Sequence, residues 1–198
     1  MIGRRKPTRR RNKYVFNFYS NKNFCHIWCE SVLESNYALS LEFDSSVTSY
    51  CSQPEHFDVY GKRYTPDFLV QYKSGLCEYI EVKHTCYMDE FFFRKHTLRQ
   101  ECVYALTNCT LKLISEKDIH VVAVNNLRML KRYLDISVIH LLEKVGSRKT
   151  ITFEHLKNAV NKIHYATPVD AWALVAQQYF IFDITKPLND EVTLQRNY

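Results

Sequence analysis

Two β-rich runs, Arg63–Tyr72 and Leu76–Lys83, flank the tripeptide Lys73-Ser74-Gly75, and no other segment constrains the chain as strongly. A three-residue loop ending in Gly is the chemistry of a tight hairpin, because its last position takes φ > 0. Pairing Tyr72 with Leu76 across the loop fixes the register of both runs. Asp67 is then set opposite Glu81, with Cβ atoms about 4.5–5.5 Å apart. The strand period of two places Glu81 and Lys83 on one face and turns Val82 into the opposite, apolar layer. Two facing carboxylates repel unless a cation lies between them or one holds a proton. The alternative, an exposed cross-strand Glu–Lys pattern that only aids solubility, leaves that repulsion unexplained.

Around this hairpin the hydrophobic pattern predicts an α/β domain with a mixed sheet over residues 14–134. Tyr14–Tyr19 is an aromatic-rich lead-in. From Phe24 to Leu41, apolar residues recur at three- and four-residue steps, the spacing of an amphipathic helix. Val47–Cys51, His56–Tyr60 and Arg63–Tyr72 read as strands, separated by the turn signals Gln53-Pro54 and Gly61-Lys62. A helix is predicted over Met88–Leu106, with Phe91, Leu98, Cys102 and Ala105 on one side and Phe91, Phe92 and Phe93 packed in the core. A strand over Thr110–Ile114 and a helix over Val121–Leu134 complete the domain.

The character changes over 135–198. Ile136–Val145 reads as a short apolar helix ending at Gly146, and Thr152 is placed to cap a second helix through Val160. A third helix has Thr167 as N-cap, Pro168 at N1 and Asp170 at N3, and runs to about Gln178. β-rich Tyr179–Ile184 and Glu191–Leu194 follow. Three short helices and a terminal hairpin match a winged helix-turn-helix; a plain helical accessory domain is the alternative. The helix that would read a DNA groove carries Asp170 and no Arg or Lys, which makes protein docking an equally good expectation.

Charge is concentrated at one end. Arg4, Arg5, Lys6, Arg9, Arg10, Arg11 and Lys13 account for the excess: removing them leaves 20 basic and 21 acidic residues. Residues 1–13 therefore read as a solvated arm able to neutralise phosphates. No run approaches the ~20 apolar residues of a membrane span, and the basic start lacks the apolar block of a secretory signal. The seven cysteines contain no C-x-x-C pair. Cys25, His26 and Cys29 fit a helix face better than a zinc site, and scattered reduced thiols suit an intracellular, soluble protein without a membrane partner.

Asp67, Glu81 and Lys83 form an acid, acid, ammonium set whose hard oxygens suit Mg²⁺. Such an ion activates water against a phosphodiester, and Lys83 would orient that water or stabilise the developing charge. A third acid is wanted from another element. Glu30 and Glu34 lie one turn apart on the first predicted helix, and Glu42 and Asp44 compete at its exit with capping or turn roles. Residue chemistry alone does not choose among them.

Ser31-x-x-Glu34, Leu41-Glu42-Phe43-Asp44, Gln53-Pro54, Tyr64-Thr65-Pro66-Asp67-Phe68-Leu69-Val70 and Glu81-Val82-Lys83 occur in that order. The run, about residues 24–84, resembles the TnsA-type transposon endonucleases, a branch of the PD-(D/E)xK restriction-like nucleases. The resemblance implies a restriction-endonuclease-like mixed sheet flanked by helices, with a small C-terminal winged-helix-like domain. It implies a metal-dependent subunit of a heteromeric transposase that hydrolyses the 5′ ends of a mobile element, acting on double-stranded DNA in the cytoplasm of a prokaryote, at the nucleoid. It also implies a TnsB-type transposase and a TnsC-type AAA+ regulator as partners. By resemblance Glu34, Asp67 and Glu81, with the Val82 backbone carbonyl, hold one or two Mg²⁺ ions, with Mn²⁺ able to substitute, and Lys83 is the catalytic lysine. An autonomous restriction- or repair-type nuclease and a non-catalytic DNA–partner adaptor are the alternatives.

Of the remaining residues, Gln53 lies beside a turn and, by resemblance, near the site. His84 follows Lys83 at a strand end, where solvation competes with a phosphate contact. Arg94, Lys95 and Arg99 are candidate DNA contacts on the helix after the hairpin, beside the arm residues Arg4, Arg5, Arg9, Arg10, Arg11 and Lys13.

Overall fold

A computed structural model describes residues 15–197. The predicted basic arm, with Arg4, Arg5, Arg9, Arg10, Arg11 and Lys13, lies outside the described residues. The chain divides into two compact units, the first closing at Ile119 and the second opening at His120.

In the first unit, β1 (Phe16–Ser20) pairs antiparallel with β2 (Cys25–Cys29), Phe18 opposite Ile27. This corrects the helix expected from Phe24. The segment alternates instead, with Ile27 and Cys29 buried and His26 exposed, and a short apolar run fits either period. Phe24 itself takes a left-handed φ of 52° in the connecting turn. Helix α1 (Val32–Phe43) starts only at Ser31, whose hydroxyl accepts the Glu34 amide.

The central sheet has four strands: β3 (Val47–Ser52), then β6 (Phe68–Tyr72), β7 (Cys77–Val82) and β8 (Thr110–Ile114), in spatial order β3-β6-β7-β8. The first three are antiparallel and β8 is parallel to β7, so the sheet is mixed as expected. The expected strand Arg63–Tyr72 is really two. Its first part, β5 (Lys62–Tyr64), forms a separate hairpin with β4 (Phe57–Val59), and Pro66 interrupts the run before β6.

A parallel neighbour requires a crossover, which α2 (Glu90–Thr107) supplies between β7 and β8. The sheet is covered on both faces. Tyr37 of α1 meets Phe68 edge-on at 5.7 Å, while Val103 of α2 joins Phe57, Tyr64, Tyr79 and Leu111 on the opposite face. The buried residues of α2 are Phe92, His96 and Val103. Phe91 is 62% exposed, and Phe93, Leu98 and Ala105 face solvent too, which corrects the side assigned to the core.

The second unit contains α3 (Val121–Leu130), β9 (Thr150–Thr152), α4 (Phe153–Asn161), α5 (Pro168–Ala176), β10 (Phe180–Ile181) and β11 (Thr193–Arg196). Its antiparallel sheet has the order β10-β11-β9. Helix α3 belongs here: the Asn126 amide donates to the carbonyls of Ile184 and Lys186, so the division precedes α3 and lies well before residue 135. Only a 3₁₀ turn over Ile139–Leu141 replaces the helix expected at Ile136–Val145. The Thr167 cap, Pro168 and the Asp170 capping box start α5 as predicted. No described helix is long and apolar enough to cross a membrane.

Candidate active site

The site is built on the β6–β7 hairpin. Its loop is closed as the sequence predicts: Tyr72 N–H donates to Leu76 O at 2.9 Å, and Gly75 takes φ +86°. Phe68 faces Ile80 and Gln71 faces Cys77, the register that continues from Tyr72–Leu76. One step further that register would oppose Asp67 to Glu81, but the paired residues stop at Phe68 and Ile80. Asp67 sits just beyond, its N–H donating to Ile80 O at 2.9 Å and its carbonyl accepting the Gln53 N–H at 2.8 Å. Its Oδ2 accepts the Val82 amide at 2.7 Å. The backbone contact of Val82 at the site is thus its N–H.

Three acids and one ammonium group meet here electrostatically. Removal from water raises the Asp67 carboxyl well above its ordinary range; the charges of Glu81 and then Glu34 push it further up, while the Val82 amide and the Lys83 charge pull it back. Glu34, on α1, Glu81, near the end of β7, and Lys83, just after it, are thus near enough for their charges to act on Asp67. Cys29, buried at the end of β2, borders the same cluster: burial, then Glu34 and Asp67, push its thiol up.

Each acid is already engaged. The Glu34 carboxylate accepts from the Ser31 hydroxyl and from the Glu30 N–H, both at 2.8 Å, in a reciprocal N-cap where the helix end favours negative charge. Glu30 precedes the helix and contributes that amide, while the Glu34 charge is one of those that act on Asp67. Glu81 accepts from the Tyr64 hydroxyl at 2.6 Å and from Arg99 Nη1 at 3.2 Å. The Arg99 guanidinium also covers the Tyr64 ring at 4.2 Å. Burial and the Glu81 charge push the Tyr64 hydroxyl up, which keeps it protonated as a donor. Lys83 Nζ rests over the Tyr87 ring at 5.5 Å and makes no ion pair among the described residues.

Among the described residues no three His, Cys, Asp or Glu side chains converge closely enough to hold a metal ion as placed. The donor chemistry nevertheless fits a hard divalent ion. Asp67 is desolvated and feels the charges of Glu81 and Glu34, so it ionises reluctantly, and a cation beside it would relieve that cost. Glu81 would have to share its oxygens between the ion and Arg99.

The other candidates separate from the cluster. Glu42 is buried and accepts from Ser20, Tyr50, Asn21 and Lys22, tying the β1–β2 turn to α1 and β3. Asp44 accepts from the amide and hydroxyl of Ser46 in a turn. His84 caps a 3₁₀ turn, with Nδ1 3.7 Å from Glu116. Of the predicted DNA contacts, Arg94 pairs with Glu90 along the helix at 2.6 Å, Lys95 covers the Phe91 ring at 3.8 Å, and Arg99 is turned inward to Glu81.

Tyr64 and the inward role of Arg99 escaped the sequence reading. The signal for Arg99 was its helical spacing: it follows Phe92 and His96 by seven and three positions, and precedes Val103 by four, on the buried side of α2. A cation on an apolar helix face implies an anion beneath it. No protein-family model matches the chain, and no curated protein matches it either.

Proposed function

We propose that the chain is a metal-dependent DNA endonuclease subunit of a heteromeric transposase of the TnsA type, hydrolysing the 5′ ends of a mobile element. The observation that carries this reading is the gathering of Glu34, Glu81 and Lys83 around a carboxyl, Asp67, that ionises against its neighbours. Asp67, Glu81 and Glu34 are the residues that would hold Mg²⁺, or Mn²⁺ in its place. The ion would supply water activation and charge neutralisation at phosphorus. The protein's own contribution is positional. The Val82 amide fixes Asp67, and Tyr64 with Arg99 fixes Glu81. Lys83, unpaired with any acid among the described residues, is the group available to orient an attacking water or to meet charge developing on phosphate oxygen.

In the second unit, the succession of α3, β9, α4, α5, β10 and β11, with sheet order β10-β11-β9, supports a winged-helix reading. Ala171, Ala173, Leu174, Val175 and Ala176 of α5 are buried, and the helix bears no Arg or Lys. That favours docking to protein, a TnsB-type transposase or TnsC-type AAA+ regulator, over groove reading by this helix.

The test is strand cleavage of transposon-end DNA by the full chain with Mg²⁺, with and without the cognate transposase. Cleavage is expected with the partner and lost in Asp67→Asn and Lys83→Ala. Normal cutting by both variants would refute the site, and efficient cutting of plain DNA by the chain alone would favour an autonomous nuclease.

A further inference from the structure

The β4–β5 hairpin turns on two residues, Tyr60 and Gly61, with φ of 52° and 75°. Both left-handed, they form the turn type that selects Asn-Gly or Asp-Gly, and Gly61 meets the demand. Tyr60 does not: an aromatic L-residue in this region is a genuine outlier. Nor does packing hold it there, because Tyr60 is 80% exposed. A bulky ring kept in an unfavourable backbone conformation and thrust into water calls for an external partner.

The surroundings define that partner's charge. Tyr60 stands on the rim of a cavity of about 290 Å³ whose lining includes Lys62, Arg63, Lys95 and Arg99 and no acid. Lys62 and Arg63 form no ion pair among the described residues. A second hollow that also borders Tyr60 is lined by Asp58 and Glu101 and by no cation, so a polyanion is directed to the basic hollow. The basic side also leads to Tyr64 and Arg99, the residues that hold Glu81.

Resting on the nuclease reading and deepening it, we infer that Tyr60 is a stacking platform for an unpaired base of a nucleic-acid strand whose flanking phosphates lie along Lys62, Arg63 and Lys95. Aromatic faces accept any base, and cations beside them take the backbone, so the groove binds single-stranded or frayed DNA without reading sequence. In duplex DNA the bases are stacked on each other and offer the ring no face.

The test uses the full chain in EDTA, where binding is separated from cleavage, and a single-stranded oligonucleotide containing 2-aminopurine, whose fluorescence is quenched on stacking. Tyr60→Asn suits the turn better than tyrosine and keeps the hairpin folded. It is expected to weaken binding about tenfold and to abolish the quench. Tyr60→Phe is expected to stay within about twofold of wild type, and Lys62→Ala with Lys95→Ala to flatten the salt dependence without removing the quench. Equal affinity and equal quenching for wild type and Tyr60→Asn would overturn the inference, as would binding of duplex alone. Those outcomes leave the nuclease reading standing if Asp67→Asn still abolishes cleavage; conversely, cleavage by Asp67→Asn removes the nuclease reading whatever Tyr60 does.

Discussion

Asp67 Oδ2 accepts the Val82 amide at 2.7 Å. The contact lies beyond the last paired residues of the hairpin, so a side chain extends what the backbone ladder leaves off. The carboxylate oxygen needed for this bond is also present in an amide. Asp67→Asn keeps the acceptor and removes a charge that the site holds against desolvation and two like-charged neighbours. Where Asp67 is ionised, the variant is expected to melt a few degrees higher than wild type, corresponding to about 1 kcal/mol, while losing cleavage. The sign follows from the raised pKa: the folded state binds the Asp67 proton more tightly than the unfolded state does. Wild-type stability therefore gains as pH falls through that pKa, and the two proteins converge in acid. Thermal melts from alkaline to acidic pH check both the offset and its disappearance.

Arg99 and Glu81 are the second pair whose removal has a defined sign. Their side chains are 26% and 12% exposed, so the bond is largely shielded and stripping the guanidinium leaves a largely buried carboxylate with only Tyr64. Arg99→Ala is expected to lower unfolding free energy by about 1–3 kcal/mol, less than for a fully buried pair. Adding Glu81→Gln should return part of it, with a coupling of about 1 kcal/mol in a urea-unfolding double-mutant cycle.

The hairpin register, the strand over Thr110–Ile114 and the α5 cap were legible because each is fixed by local chemistry: a loop glycine, a period of two, a Thr-Pro-x-Asp start. The first β-hairpin was not. Cys25–Cys29 carries too few apolar residues to separate a helical from a strand period, and its pairing with Phe16–Ser20 is a long-range choice. Helix α2 misled for another reason. Phe91, Phe93 and Leu98 are apolar yet exposed, while Arg99 lies inward because Glu81 waits beneath it. Hydropathy assigns helix faces by what each residue prefers, and here the inner face of Phe92, His96 and Val103 also carries a charge paired with Glu81.

Glu116 links the segment after β7 to the segment after β8. Its carboxylate accepts from the Thr85 hydroxyl and, at 2.8 Å, from the Thr85 amide, and these bonds hold its pKa at about 2. For an acid depressed in the folded state, the stabilisation is present above the unfolded pKa near 4.5 and fades as pH falls toward 2. Thr85→Val, which deletes the hydroxyl and keeps the amide, is expected to reduce the acid dependence of stability in that window and leave the slope near pH 7 unchanged. Acid-unfolding curves of the two proteins make the comparison.

Glu42 shows how a buried acid serves structure. Four donors converge on it: the Ser20 and Tyr50 hydroxyls on Oε2, both at 2.6 Å, and the Asn21 and Lys22 amides on Oε1 at 2.7 and 3.2 Å. The two backbone amides cannot reorient; the Tyr50 hydroxyl can rotate to accept, whereas Ser20 Oγ already accepts from the backbone and side-chain amides of Asn23. Glu42→Gln therefore keeps its oxygen toward Asn21 and Lys22 and gives its NH₂ to Tyr50, losing only the bond from Ser20. It is expected to cost about 1 kcal/mol, against about 3 kcal/mol or more for Glu42→Ala, which leaves buried donors without an acceptor. Chemical unfolding of both variants tests the ordering, and a Gln variant as damaged as the Ala variant would show that the charge, rather than the acceptor geometry, holds the β1–β2 turn to α1.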